Sequence, residues 1–270
     1  MADGAAPRAD TLRLRVLSAL VLIPLALAAV WFGPPWVTVI VAAAGLAMGW
    51  EWGRLSGSGQ FGPREIVIVA SIILAIGAAA AGRFDLGLTL AVLGAAAAGW
   101  AGRAERSWTA LGTVWIACGC AAFLWLDRPA QGGKAAIFWL LGVVWATDIV
   151  AYIAGRTIGG PRLAPRISPN KTWSGVAGGL IGGGAVGLAA AGLADRRAAP
   201  LIALSLAVSL FAQGGDLAES AAKRHYAVKD TSHLIPGHGG VLDRLDGLLA
   251  AAIVAALLTL MLGGGALNLD

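Results

Sequence analysis

Long apolar runs separated by short polar breaks make up most of this chain. An α-helix needs about 20 apolar residues to cross a bilayer, and a tight turn such as Gly33-Pro34-Pro35 ends one run before the next begins. The pattern predicts an all-α fold, a polytopic helical membrane protein with about nine transmembrane helices. The runs fall at roughly 16–32, 36–50, 66–82, 86–101, 108–126, 135–154, 173–194, 199–218 and 241–262.

The composition agrees with a membrane protein and decides how the net charge is interpreted. Hydrophobic residues make up 58% of the 270 residues and charged residues only 13%, roughly half the charged fraction of soluble domains. The net charge of +5 therefore fits basic loops that lie against an anionic membrane surface and bind anionic substrates. We expect membrane lipids as neighbours and no nucleic-acid partner.

Lys and Arg are unevenly divided between the two sets of loops. With the N-terminus in the cytoplasm, 15 of the 20 lie on the inner side, and the other five are Arg83, Arg128, Lys134, Arg196 and Arg197. This bias follows the positive-inside rule. It predicts a bacterial inner (plasma) membrane protein whose N-terminus and 219–240 loop are cytoplasmic, with residues 266–270 outside. The first run is expected to remain as an uncleaved span.

Polar residues concentrate in the second half of the chain. We therefore divide one integral membrane unit into N-terminal spans, 1–134, and C-terminal catalytic spans with cytoplasmic loops, 135–270. Two glycine series predict close helix packing within the chain, although either could also serve a homodimer. They are Gly45, Gly49 and Gly53, and Gly175, Gly179 and Gly183.

The richest polar stretch runs from Asp216 to Gly247 and holds nine charged residues and all three histidines. Ionisable groups near membrane depth are costly and usually functional. Helical spacing places four polar side chains on one face. They are Asp216, Glu219, Ser220 and Lys223.

A glycine-rich break, Pro236 to Gly240, follows this helix, and its backbone N–H groups could cradle phosphate. Asp243 and Asp246, three residues apart, open the last apolar run. Carboxylates from two helices beside a basic, glycine-rich loop predict a site for Mg²⁺ and a nucleotide, because Mg²⁺ prefers one or two carboxylates plus phosphates. A solvated loop with surface ion pairs is the alternative, which this density of charge disfavours.

A second polar group lies at 145–175. Asp148 sits within an apolar span, where it is either a carboxyl bonded to a neighbouring helix or an acid of a substrate or metal site. The loop 156–171 carries four cations and three prolines and could hold the phosphate of an anionic lipid. Ser168, Asn170 and Lys171 offer polar groups just before a helix N-terminus, which favours anions.

Both stretches resemble the phosphatidate cytidylyltransferase (CDP-diacylglycerol synthase) family over about 140–262. Ala222 and Ser174 depart from the family pattern, which has a larger apolar residue and Glu or Gln there. Matching positions in the first stretch are Ser220, Lys223-Arg224, Lys229-Asp230, Pro236, His238-Gly239-Gly240, Asp243-Arg244 and Asp246. Those in the second are Asp148, Ala151-Tyr152, Gly155-Arg156 and Ser168 to Trp173.

The resemblance implies that CTP and phosphatidic acid react to give CDP-diacylglycerol and pyrophosphate, with Mg²⁺ on Asp216 and Asp243. The expected catalytic residues are Asp216, Lys223, Arg224, Asp243, Arg244 and Asp246. Expected substrate-binding residues are Asp148, Ser168, Asn170, Lys171, Ser220, Lys229, Asp230, His238, Gly239 and Gly240. Asp246 could act by pairing with Arg244, and His225 and His233 are expected to be solvated.

Three other functions remain open at this stage. A related lipid kinase, or a cytidylyltransferase acting on another lipid phosphate, would need similar phosphate-binding groups. An ion-coupled transporter could use Asp148 and Asp216 as ion ligands. A transporter of that kind more often shows an internal repeat with broken helices in both halves, and this chain concentrates its polar residues in one half.

Overall fold

The computed structural model describes residues 8–57, 62–102 and 105–263, without the side chains of 8–12. Arg103 and the C-terminal residues 266–270, both used in the topology prediction, lie outside the described residues. The helices are α1 (Arg8–Phe32), α2 (Trp36–Leu55), α3 (Pro63–Ala80), α4 (Phe84–Ala101), α5 (Arg106–Leu126), α6 (Gly133–Thr157), α7 (Trp173–Ala194), α8 (Ala198–His225) and α9 (Leu242–Leu262). A short 3₁₀ turn at Pro129–Gln131 precedes α6.

Within these ranges, nine helices are long and apolar enough to cross a membrane. The prediction of an all-α, polytopic membrane protein is therefore confirmed. Buried side chains from α2 to α6, α8 and α9 form a continuous apolar core, which includes Trp52, Ile116, Leu140, Val208 and Leu249. The N-terminal and C-terminal helices thus pack against each other.

Two predicted helix ends are wrong because they stop at polar residues. The second span was expected to end at 50, but α2 continues to Leu55, since Glu51 is fully buried at 0% exposure among hydrogen-bond donors. The eighth was expected to end at 218, but α8 continues to His225. Glu219 and Lys223 form an ion pair inside the bundle, so polarity does not end this helix.

The segment predicted as the loop 156–171 contains a small antiparallel hairpin. Strand β1 (Arg162–Ala164) pairs with β2 (Ser168–Thr172), with Arg162 opposite Thr172 and Ala164 opposite Ser168. Thr172 then caps α7, because its hydroxyl accepts a hydrogen bond of 3.1 Å from the Gly175 N–H. The hairpin therefore places Lys171 at a fixed position beside the helix bundle.

Both glycine series are packing seams within the chain, as predicted. A Cβ added at Gly45 or Gly49 would lie within 3 Å of Ile76 or Ile72 on α3. A Cβ at Gly183 would lie 2.7 Å from Ser209 Cβ on α8. Close approach of α2 to α3, and of α7 to α8, brings the ends of these helices together near the polar residues described next.

Candidate active site

Lys223 on α8 joins α8 to α9 at one end of the bundle. Its ammonium forms an ion pair with Glu219 on the same helix and lies 2.7 Å from Asp243 Oδ1 on α9. Lys223 is 13% exposed, whereas the two carboxylates are 1% and 2% exposed. Two buried acids around one ammonium give a charge-assisted network that holds the two helices together.

The second oxygen of Asp243 holds the segment between α8 and α9. Asp243 Oδ2 accepts hydrogen bonds from the Thr231 N–H at 2.9 Å, the Thr231 hydroxyl at 3.0 Å and the Gly240 N–H at 2.8 Å. Both oxygens of this carboxylate therefore have partners within the protein. Asp243 supports the glycine-rich turn in addition to any ligand it binds.

Glu51 reaches the same segment from α2. Its Oε1 accepts from the Ser232 hydroxyl at 2.6 Å and the Val241 N–H at 2.8 Å. Its Oε2 accepts from the Leu242 N–H at 2.7 Å and, at 3.4 Å, from the Thr231 hydroxyl. The sequence analysis missed Glu51, because no local spacing links a residue of the second span to one 190 residues later.

Helix α1 holds the glycine-rich turn from its other side. Arg15 Nε donates to the Gly237 carbonyl at 2.7 Å, and Ser18 Oγ lies 2.8 Å from His238 Nδ1. Burial and the charges of Arg244 and Arg15 lower the pKa of His238, so its imidazole is neutral at pH 7. The sequence analysis predicted His238 as a phosphate contact and missed Arg15 and Ser18, whose signal is only their basic and hydroxyl character at the start of a span.

A second group of acids comes from three helices. Asp148 on α6 is exposed and interacts electrostatically with Asp216 on α8 and with Lys171. Asp246 on α9 is 9% exposed and interacts with Asp216 and Asp148. The structure therefore brings Asp148, Asp216 and Asp246 to one place, which the sequence predicted only as two separate stretches.

Lys171 connects the hairpin to this group of acids. Its Nζ lies 2.7 Å from Asp216 Oδ2, with 22% and 44% of the two side chains exposed. The ammonium also donates to the Gln213 carbonyl at 3.4 Å. A half-exposed ion pair contributes little to stability, but it brings the 145–175 and 216–247 stretches into contact.

The other predicted residues divide between packing contacts and exposed positions. Arg224 Nε donates to the Ile167 carbonyl of the hairpin turn at 3.2 Å, and Arg244 Nε donates to the His238 carbonyl at 3.1 Å. Ser220 Oγ lies 3.5 Å from Asp216 Oδ1. Asn170, Lys229 and Asp230 are exposed, and Ser168 is partly exposed on β2.

The remaining predicted positions make contacts that differ in part from those expected. Asp246 Oδ1 accepts a hydrogen bond from the Gly247 N–H at 2.8 Å. Pairing of Asp246 with Arg244 was the role suggested from the sequence. His233 is exposed, but His225 stacks on Trp108 with ring centroids 4.9 Å apart. The Ser174 hydroxyl bonds to the Gly159 carbonyl, so a hydroxyl serves where the family pattern has a longer side chain.

Within the described part of the chain, no three His, Cys, Asp or Glu side chains form a ready-made metal site. Mg²⁺ does not require one, because it usually binds one or two carboxylates together with substrate phosphates and water. Asp148, Asp216 and Asp246 provide hard oxygen donors that interact with one another, and Lys171 pairs with Asp216 beside them. These donors fit a divalent cation that arrives with a phosphate.

The fold and this site define a polytopic integral membrane protein with an acidic, lysine-containing cluster among its helices. The model of the cytidylyltransferase family matches residues 13–262, and the chain belongs to that family.

Curated relatives cover nearly the whole chain. A phosphatidate cytidylyltransferase of Brucella abortus is 40% identical over 257 residues, which are 90% of this chain and 91% of the relative. One of Pseudomonas aeruginosa is 35% identical over 272 residues, 94% and 99% of the two chains. One of Bacillus subtilis is 40% identical over 148 residues, 54% and 55% of the two chains.

Proposed function

We propose that this protein transfers the cytidylyl group of CTP to phosphatidate, giving CDP-diacylglycerol and pyrophosphate for phospholipid biosynthesis. The ion pair between Lys171 and Asp216 carries this proposal. It supports a site in which the hairpin, suited to a lipid phosphate, lies next to the acids of α8 and α9 and the glycine-rich turn, suited to a nucleoside triphosphate. Family membership and the names of the relatives support the same reaction.

The reaction needs two anionic phosphates held in line. An oxygen of the lipid phosphate attacks the α-phosphorus of CTP, and the bond from that phosphorus to the bridging oxygen of pyrophosphate breaks. A phosphate monoester is already ionised at neutral pH, so positioning and neutralisation of charge matter more than a strong general base.

The chain's own residues divide these tasks. Lys171, released from Asp216, would bind the lipid phosphate at the level of the hairpin. Lys223 and Arg244 lie on the side of the glycine-rich turn and would offset charge on the triphosphate. Asp243 and α1 hold the turn itself beside these cations, with the Gly240 N–H donated to Asp243 and the Gly237 carbonyl bonded to Arg15, so the turn would shape the site for the same phosphates.

Mg²⁺ is the cofactor we propose, held by Asp216 with an acid of α9, either Asp243 or Asp246. When bound, it would neutralise phosphate charge and draw electron density from the α-phosphorus. Asp246 shares the surroundings of Asp216, whereas Asp243 has internal partners for both oxygens. The sequence-based pair of Asp216 and Asp243 thus stays a prediction, and Asp246 joins it as a second candidate.

The cation bias between the loops supports a bacterial inner membrane location, with the N-terminus and the site facing the cytoplasm, where CTP is found. The phosphatidate would enter from the bilayer, leaving its acyl chains among membrane lipids. A homodimer would have to use faces outside the two glycine seams, because those glycines pack against helices of the same chain.

Two labelled forms of CTP test the reaction with purified protein, phosphatidate and Mg²⁺ in detergent. Cytidylyl transfer puts an α-phosphate label into the lipid and releases a γ-label as pyrophosphate. A lipid kinase would put the γ-label into the lipid instead, which would contradict the proposal. Other lipid phosphates, tested in parallel, decide whether phosphatidate is the preferred acceptor.

Cysteine labelling tests the orientation. Single cysteines at positions 232 and 131, in a chain whose Cys118 and Cys120 are replaced by Ala, should react from the cytoplasm and from outside, respectively. Labelling of position 232 from outside would contradict the proposed topology and would separate the site from CTP.

A further inference from the structure

Glu51 is a buried acid whose partners all come from a distant segment. It is 0% exposed on α2, and each of its four hydrogen bonds comes from residues 231–242. Burial of a carboxylate costs free energy unless donors surround it. The donors of residues 231–242 therefore account for the burial of this carboxylate.

The N-terminus of α9 depends on Glu51 for its cap. Val241, the residue before the helix, makes no side-chain capping bond of its own. Instead Glu51 accepts from the N–H groups of Val241 and Leu242, at 2.8 and 2.7 Å. A carboxylate at a helix N-terminus satisfies free N–H groups and interacts favourably with the helix dipole.

Glu51 and Asp243 hold the same backbone from two sides. Three consecutive N–H groups are divided between them, since Gly240 donates to Asp243 while Val241 and Leu242 donate to Glu51. The Thr231 hydroxyl contacts both acids. A Cβ at Gly240 would lie 2.1 Å from Thr231 Oγ1 and 2.7 Å from Glu51 Oε1, so only a glycine leaves room for both oxygen atoms beside this backbone.

We propose that Glu51 is a positioning residue for cytidylyl transfer, an inference that rests on the proposed function. It fixes residues 231–242 so that Asp243, and through it Lys223, keep their places beside the glycine-rich turn. The first half of the chain thereby contributes to the reaction through α2, although Glu51 itself need not touch either substrate.

The test compares Glu51→Gln with Glu65→Gln. A Gln at position 51 keeps the size of Glu but turns one acceptor into an N–H donor facing backbone N–H groups. Glu65 is a matched control because it is 3% exposed and also caps a helix, accepting from the Gly62 N–H at 2.8 Å at the start of α3. Measurements are kcat, KM for each substrate, Tm, and hydrogen–deuterium exchange of residues 231–242.

We expect Glu51→Gln to lower kcat on the order of 100-fold, because small displacements of catalytic groups have effects of this size. Exchange in residues 231–242 should become faster in this variant. Glu65→Gln should lower Tm without either change. A wild-type kcat in Glu51→Gln, or equal losses of kcat in both variants that follow their Tm values, would overturn the proposal.

Ser232→Ala keeps the proposal testable if Glu51→Gln does not fold. It removes the 2.6 Å bond to Glu51 from the loop side, and we expect kcat to fall roughly tenfold, the value of about one hydrogen bond. An unchanged kcat and exchange rate would again contradict the proposal. If the wild-type protein itself fails to transfer the cytidylyl group, the proposed function is wrong, and the exchange difference alone still decides whether Glu51 fixes this segment.

Discussion

Two groups of acids lie at the same end of the bundle and differ in how their charge is satisfied. Glu51 and Asp243 receive hydrogen bonds from backbone N–H groups, hydroxyls and Lys223 on all four of their oxygens. Asp148, Asp216 and Asp246 interact electrostatically with one another, and Lys171 forms an ion pair with Asp216 among them. We call these the supported pair and the open triad.

This difference distinguishes acids that stabilise the fold from acids that are available to bind a ligand. Acids whose oxygens are satisfied inside the protein stabilise one arrangement of the chain. Acids that crowd together with few internal partners repel one another, which raises the free energy of the site without a ligand, and a bound cation relieves this repulsion. We therefore expect variants of the open triad to change activity alone, and variants of the supported pair to change both activity and stability.

The largest effect is expected for Asp216→Asn in the open triad. Loss of this carboxylate removes a cation ligand and the partner of Lys171, and turnover should fall by at least about 10²–10³-fold, with little change in Tm. Asp195→Asn is the control, because Asp195 is an exposed residue at the end of α7. Wild-type turnover of Asp216→Asn at saturating Mg²⁺ would remove Asp216 from the site.

Asp243→Asn and Asp246→Asn test whether the supported pair and the open triad differ in their effects on stability. Asp243→Asn leaves Lys223 with a weaker partner and should lower both turnover and stability, the latter by about 1–3 kcal/mol. Asp246→Asn should lower turnover and raise the Mg²⁺ concentration needed, with Tm nearly unchanged. Equal losses of Tm in the two variants would show that the division between support and ligand binding is wrong.

Lys171→Ala and Lys223→Ala test which substrate each of the two lysines binds. Lys171 belongs to the hairpin and the open triad, so its loss should weaken use of phosphatidate more than binding of CTP. Lys223 is bonded to Asp243 of the supported pair, and its loss should weaken CTP binding, or both CTP binding and use of phosphatidate. Each lost phosphate contact should cost roughly 10- to 100-fold, measured as CTP affinity without lipid and lipid dependence at saturating CTP. Loss of CTP binding alone in Lys171→Ala would contradict this assignment.

The smallest effect concerns pH and the turn that the supported pair holds. Because the folded protein lowers the pKa of His238 below its ordinary value of about 6.5, protonation opposes the folded turn. Stability should be constant above that value and fall as the pH drops below it. His238→Gln should lessen this fall in Tm, by at most a few degrees. The control is His233→Gln, at an exposed position, which should behave like the wild type.

The sequence predicted what local spacing controls. Apolar runs placed the nine helices, and helical spacing placed Glu219 and Lys223 on one face of α8, where they form an ion pair. Contacts between distant segments were not predictable in this way. Glu51 looked like a single acid near the end of an apolar run, and Lys171 looked like part of a loop until pairing of β1 with β2 placed it against Asp216.

The bond between Glu51 and α9 also has a consequence for the order in which the protein is made. Helix α2 leaves the ribosome long before residues 231–242, which lie 180 to 191 positions later. Until residues 231–242 are made, the Glu51 carboxylate lacks the donors that offset the free-energy cost of its burial. The end of α2 that carries Glu51 then has to stay hydrated. Synthesis of the start of the last span is therefore the event that completes the hydrogen bonds of Glu51, and a chain interrupted before Val241 would leave this acid without its two backbone N–H donors.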